Sequence, residues 1–165
     1  MVQDNKSPNP KELTDIKDAP GKGRLMCVDP GTRKIGVAVS DEMQMTVRPV
    51  ELIVRRSWKN LLEKIVELIA RYDARALVVG LPLGFEGGET EMSAEARDMA
   101  RKFDLSLEIP VYLHDERLST YTARGHLWKT GKEGDELRER LDAESAAVIL
   151  SDFIETRNMI ASRDA

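Results

Sequence analysis

Between Arg24 and Val54 the apolar residues fall into three short runs separated by turns. "RLMCVD" and "KIGVAVSD" flank "PGTR", and "MTVRPVELIV" follows. Short runs rich in Val and Ile predict strands. The proline in the third run favours an edge or a bulge. Three strands with short turns predict an antiparallel meander. From Ser57 the period changes. Trp58, Leu61, Leu62, Ile65, Leu68, Ile69 and Tyr72 keep the 3.6-residue spacing of a helix, with Ser57 as its N-cap. "ALVVGLP" reads as a strand buried on both faces. A glycine-rich loop, "LGFEGGETE", leads to a helix over Ser93–Phe103. "IPVYLHDE" is a fifth strand. Residues 118–129 predict a helix, "TGKEGD" a loop, and residues 136–158 a long final helix.

The order is thus βββ-α-β-α-β-α-α. It predicts an α/β fold, a mixed sheet with helices on both faces. In such sheets sites form at the carboxyl ends of parallel strands. Residues 1–23 are polar, with three prolines and two glycines, and are expected to be a flexible N-terminal extension. One domain is expected over 24–158, with a C-terminal tail at 159–165.

Composition narrows the class. The 165 residues are 41% hydrophobic and 33% charged, which suits one globular domain with a hydrophobic core. No apolar stretch is long enough to span a bilayer, and the N-terminus has no signal-peptide core. The single cysteine, Cys27, has apolar neighbours. A reduced, cytoplasmic protein without membrane contact is expected. The net charge of −4 argues against a general nucleic-acid-coating protein. It leaves room for an enzyme acting on nucleic acid through local basic groups. Three basic pairs stand out: Arg33/Lys34, Arg55/Arg56 and Arg101/Lys102. Each also reads as a solvated face.

The acids then become the candidate chemistry. Asp29 ends the first strand, and Asp115 and Glu116 end the fifth. Asp142 lies on the final helix, with Ala146, Ile149 and Phe153 at i+4, i+7 and i+11. That apolar stripe must face the sheet, so Asp142 is aimed at the sheet or its end. If strands one and five are neighbours with the same direction, their acidic ends converge and Asp142 arrives from above. Converging carboxylates raise one another's pKa, and a divalent cation is the usual resolution. Oxygen ligands favour Mg²⁺ or Mn²⁺. One cysteine and two histidines, His114 and His126, have no zinc-ligand spacing. Each acid also has a structural reading: Asp29 as a turn residue before Pro-Gly, Asp115 and Glu116 as a strand end, Asp142 as an exposed helix position. His114 reads more simply as a packed strand residue.

"VDPGTRKIGVAVSD", "LVVGLPLGFEGGETE", "VYLHDERLST" and "LDAESAAVILSDFIE" together resemble the YqgF family, also called RuvX, of the ribonuclease-H-like superfamily. The resemblance covers residues 24 to about 156. Its members are described as Holliday-junction resolvases and as nucleases maturing the 5′ end of precursor 16S ribosomal RNA. It implies a ribonuclease-H-like fold, a five-stranded mixed sheet whose first three strands are antiparallel. It also implies an acidic site. The family's "D-x-G-T" matches Asp29. Its "D-E-R-L" matches Asp115 to Leu118, with Glu116 as ligand in preference to Asp115. The acid opening its "D-x-x-A-A" segment matches Asp142. Here that segment is "DAESAA", one residue longer, which leaves Glu144 as the alternative; periodicity favours Asp142. Gly84 stands where many relatives carry Asn, and the loop "KTGKEGDELRER" is more acidic than usual.

The implied chemistry is metal-dependent phosphodiester hydrolysis. Two ions, Mg²⁺ or Mn²⁺, would be held by Asp29, Glu116 and Asp142. Thr32, Arg33, Lys34 and Arg117 would hold the nucleic acid. Precursor ribosomal RNA is the favoured substrate and branched DNA the alternative, with a monomer or weak homodimer expected. Two rivals come from other classes. "D-x-G-T" also opens the phosphate loop of actin-like ATPases and sugar kinases, but those need a second such half. A non-catalytic module binding ribosomal RNA is the other.

Overall fold

A computed structural model describes residues 16–83, 88–115 and 134–164, with side chains of the last segment described over 144–163. The helix expected over 118–129 lies outside the described residues. The five strands are β1 (Arg24–Pro30), β2 (Lys34–Ser40), β3 (Val47–Val54), β4 (Ala74–Leu81) and β5 (Val111–Asp115). The helices are α1 (Trp58–Tyr72), α2 (Glu91–Ser106) and α3 (Gly134–Asp164). The sheet order is β3-β2-β1-β4-β5. β1 pairs antiparallel with β2, and β2 with β3, while β1, β4 and β5 are parallel. The ribonuclease-H-like sheet expected from the sequence is the one formed.

The condition set for convergence, that strands one and five are neighbours, is met in direction but not in adjacency. β1 and β5 do not pair, because β4 lies between them. The reason is burial. Every residue of β4 except Arg75 is buried, which suits the centre of a sheet covered on both faces. β5 ends in half-buried His114 and Asp115, which suits an edge.

Strand pleating sends alternate side chains to two cores. On one face Met26, Val28, Leu77, Val79, Val111 and Leu113 pack with Leu61, Ile65 and Leu68 of α1 and with Ala96, Met99 and Phe103 of α2. On the other, Leu25, Cys27, Ala38, Ala76, Val78 and Tyr112 pack with Ala146, Ile149, Leu150 and Phe153 of α3. The stripe read from the sequence on α3 is therefore its sheet-facing side.

The helix ends follow local chemistry. Ser57 caps α1, its side chain accepting from the Asn60 N–H. α2 starts two residues before Ser93, because Thr90 and Ser93 cap each other reciprocally. α3 runs on to Asp164. The packed chain also begins before Arg24. Ile16–Asp18 form a 3-10 turn, and Ile16 and Ala19 pack against the α3 cluster. The carbonyl of Pro20 accepts from Arg157 of α3 and from Gln44. Arg157 is 7% exposed, and burial lowers its pKa from the ordinary value.

Candidate nucleic-acid cleavage site

Asp29 is the penultimate residue of β1, half-buried at the strand's carboxyl end. It pairs with Gly36 of β2. Val28 pairs with Val79, so one step on Asp29 comes level with Gly80 of β4. Gly80 in turn pairs with His114 of β5. Leu25 and Cys27 face α3, and by alternation so does Asp29. Both strand neighbours of Asp29 are therefore glycines. On this face the residues of β2 and β4 level with Asp29 thus have no side chain of their own. A glycine inside a buried strand commonly marks the close approach of a ligand or another backbone.

Two strand spacings, about 10 Å, separate β1 from β5. On the Asp29 face, β5 offers His114. Its Nε2 lies 2.6 Å from Asp152 Oδ2 of α3, and its ring meets Phe153 edge-on at 5.5 Å. The end of β5 is thereby tied to α3. Asp115 falls on the opposite face by alternation, half-buried and paired with Leu81 in the register.

α3 crosses this face with its later turns at the amino end of β1. Arg157 bonds to Pro20 and Gln44, and Gln44 donates to the Gly23 carbonyl at 3.0 Å. Asp142 lies fifteen residues earlier, about 22 Å along the axis. From Arg24 to Asp29, β1 rises about 17 Å. Asp142 also lies ten residues, about 15 Å along the axis, before Asp152, the residue of α3 that meets His114. The side chain of Asp142, and all of Glu116 and Arg117, lie outside the described residues. Glu144 is half-buried. Among the described residues no group of three or more His, Cys, Asp or Glu side chains is arranged to hold a metal ion.

Thr32, Arg33 and Lys34 fall at the same end of the sheet as Asp29, in the turn that follows it. Thr32 and Arg33 are exposed. This turn is tight: the Gly31 N–H donates to the Lys34 carbonyl at 3.1 Å. Arg55, just beyond β3, braces it. Its backbone N–H donates to the Arg33 carbonyl at 2.9 Å and its Nη1 to the Gly31 carbonyl at 3.0 Å. Its other guanidinium nitrogen pairs with Glu95 of α2. In the sequence Arg55 stands out only as half of a basic pair, since nothing local shows which carbonyls it meets. The flanking glycines do leave a signal, in "KIGVAV" and "LVVGLP".

Glu89, at the far end of the loop after β4, pairs with Arg97 at 2.6 Å and accepts from Ser93 at 2.6 Å. The Arg97 hydrogen bonds lead in holding its carboxyl below the ordinary range. No described helix is long and apolar enough to cross a membrane.

The family model described as "RuvX: Holliday junction resolvase" matches residues 23–156. A protein of Anaeromyxobacter sp. (strain K) named "Putative pre-16S rRNA nuclease" is 40% identical over 134 residues, 81% of this chain and 98% of its own. One of the same name from Rickettsia bellii is 33% identical, over 82% of this chain and 88% of its own. Among solved structures, Thermus thermophilus RuvC with a Holliday junction substrate aligns with a TM-score of 0.52 at 15% identity, covering 82% of this chain and 96% of that one. The yeast mitochondrial Holliday junction resolvase Ydc2 aligns with a TM-score of 0.50 at 13% identity, covering 92% and 89%. At these identities the two structures speak to the fold alone.

Proposed function

The chain belongs to the RuvX family, and from that premise we propose that it is a metal-dependent nuclease that trims precursor 16S ribosomal RNA. It is a hydrolase acting on ester bonds, with nucleic acid as its substrate. The observation that carries the reading is the carboxylate of Asp29, set at the carboxyl end of a central strand between Gly36 and Gly80.

The donors suit a hard divalent cation. Asp29 is fixed by β1. Glu116 follows the last residue of β5 in the sequence. Asp142 is one turn before Ala146, which packs against the Asp29 face of the sheet. All three offer oxygen, the ligand type of Mg²⁺ and Mn²⁺. Asp29, Glu116 and Asp142 would hold one or two such ions, which when bound supply an activated water and neutralise charge at the leaving oxygen.

The protein's own part is positioning. The paired strands fix Asp29. The His114–Asp152 contact fixes the end of β5 against α3, the helix that carries Asp142. Arg55 fixes the turn that offers Thr32, Arg33 and Lys34 to the substrate backbone. Cleavage of branched DNA is the second reading, favoured by the description of the family model.

One assay separates them. The protein is given Mg²⁺ or Mn²⁺ with a precursor 16S ribosomal RNA fragment and, separately, a four-way DNA junction. The RNA is expected to be cut, and Asp29→Asn and Asp142→Asn to slow cutting by on the order of 10²-fold or more. Cutting of the junction alone would replace the first reading with the second. Failure to cut either substrate with either metal would sink the nuclease assignment.

A further inference from the structure

Three basic pairs scattered along the sequence meet at one end of the molecule. β1 and β3 are both antiparallel to β2, so β3 ends where β1 ends, and Val54 pairs with Lys34. Arg55 and Arg56 therefore emerge beside the turn that follows Asp29. Behind them, between the first turn of α1 and the side of α2, lies a cleft of about 220 Å³. Arg55, Arg56, Trp58 and Lys102 line it, together with the acids Glu95 and Asp98.

Those acids are already engaged. Glu95 pairs with Arg55. Asp98 receives Arg101 at 2.8 Å and Lys102 at 3.1 Å, and the Arg101 hydrogen bond leads in keeping its carboxyl below the ordinary range. Lys102 also sits 5.6 Å from the centre of the Trp58 ring. Arg33, Arg56 and Lys59 are exposed, and their side chains have no hydrogen-bond or ion-pair partner among the described residues. The first turn of α1 carries no acid. The chain as a whole is at −4, so a polyanion is repelled except where positive charge is gathered. An unpaired guanidinium offers donors in the fork that suits phosphate.

We propose that this cleft is a backbone-phosphate subsite. A single strand of RNA with its scissile phosphate at Asp29 passes over the 31–34 turn, contacts Arg33, crosses Arg55 and seats a phosphate at Arg56 and Lys102. The subsite rests on the nuclease reading and deepens it, since it gives the strand one path across the molecule.

The test is the salt dependence of binding, with a single-stranded precursor 16S ribosomal RNA fragment as probe. Removing one phosphate-binding side chain lowers the slope of log K against log salt by about 0.7, or about fivefold in affinity near 0.1 M salt. Arg56→Ala is expected to show that change, Arg56→Glu a larger one, and Arg71→Ala none. Arg71 is at the far end of α1, paired with Glu67. A circular dichroism melt of each variant checks the fold. If both Arg56 variants keep the wild-type slope and affinity while wild type still cuts RNA, the subsite is wrong and the nuclease reading stands. If wild type neither binds nor cuts, both fall.

Discussion

Replacing Gly31 with alanine tests whether the turn after Asp29 is as tight as its geometry says. A Cβ at Gly31 would lie 2.3 Å from the Lys34 carbonyl oxygen. Real Cβ contacts do not come under about 3.0 Å, so backbone must move by at least about 0.7 Å. The atom in the way is main chain, held by the Gly31 N–H to Lys34 bond, so it cannot swing aside as a side chain can. The Gly31 backbone angle itself suits alanine, because Gly23 is the described glycine with positive φ. Overpacking of this kind costs roughly 1–3 kcal/mol. Alanine recovers about 0.4–1 kcal/mol by restricting the unfolded chain. The net loss of about 1–2 kcal/mol lowers Tm by about 2–8 °C in a chain of this size. A shift of this order beside the reacting groups is expected to slow single-turnover cleavage by about ten- to a hundredfold. Gly21→Ala is the control, since a Cβ there meets nothing within 4 Å; it should melt within about a degree of wild type. A Gly31→Ala protein that melts and cleaves like wild type would refute the tight turn. A lowered Tm with an unchanged cleavage rate would refute its coupling to the site.

Gly80→Ala puts a methyl group in the row between Asp29 and His114. It should raise the Mn²⁺ concentration needed for half-maximal thermal stabilisation by about tenfold, and an unchanged midpoint would mean the surface at Gly80 is not the metal's place. Ser57→Ala removes the cap that accepts from Asn60; it should cost about 1 kcal/mol in urea unfolding, without altering cleavage at saturating RNA. Asp41 Oδ1 accepts from the Met45 and Thr46 N–H groups at 2.7 and 2.9 Å, and the Thr46 bond leads in lowering its pKa. A lowered folded pKa means the stabilisation is present above the ordinary carboxylate value, about pH 4, and is lost as pH falls through the folded value. Melts from pH 6 downward should therefore fall less steeply for Asp41→Asn than for wild type, and parallel curves would contradict that.

Much of this fold is legible because its signals are local. Alternation fixed by the pleat identifies β1 and β2, and the 3.6-residue stripe from Trp58 to Tyr72 identifies α1 along with its cap. What is not legible depends on partners far away in the chain. No local pattern says that β4 enters between β1 and β5; that follows from which strand can be buried on both faces. The start of α2 escapes the sequence because Thr90 and Ser93 make a capping box with Ser in place of the usual Glu or Gln. The packing of Ile16 and Ala19 escapes it because two apolar residues in a polar stretch carry no period.

The candidate site divides in the same way. Asp29 is legible as a charge at the end of an apolar run, where burial demands a reason. The insertion of β4 sharpens that reason. Had β1 and β5 been neighbours, two acids at their ends would have met directly, and a salt bridge or shared proton would have sufficed. With β4 between them the two strands are about 10 Å apart, and the ions of the proposed site would lie across that gap. For that gap to be usable, the intervening strand must present no side chain on this face, and at that level β4 presents Gly80. The same glycine would be a defect in a strand whose only task was packing. Gly36, on the other side of Asp29, repeats the pattern. Two glycines in otherwise apolar, β-branched strands, both level with one carboxylate, are what the proposed site would require of the sheet beside Asp29.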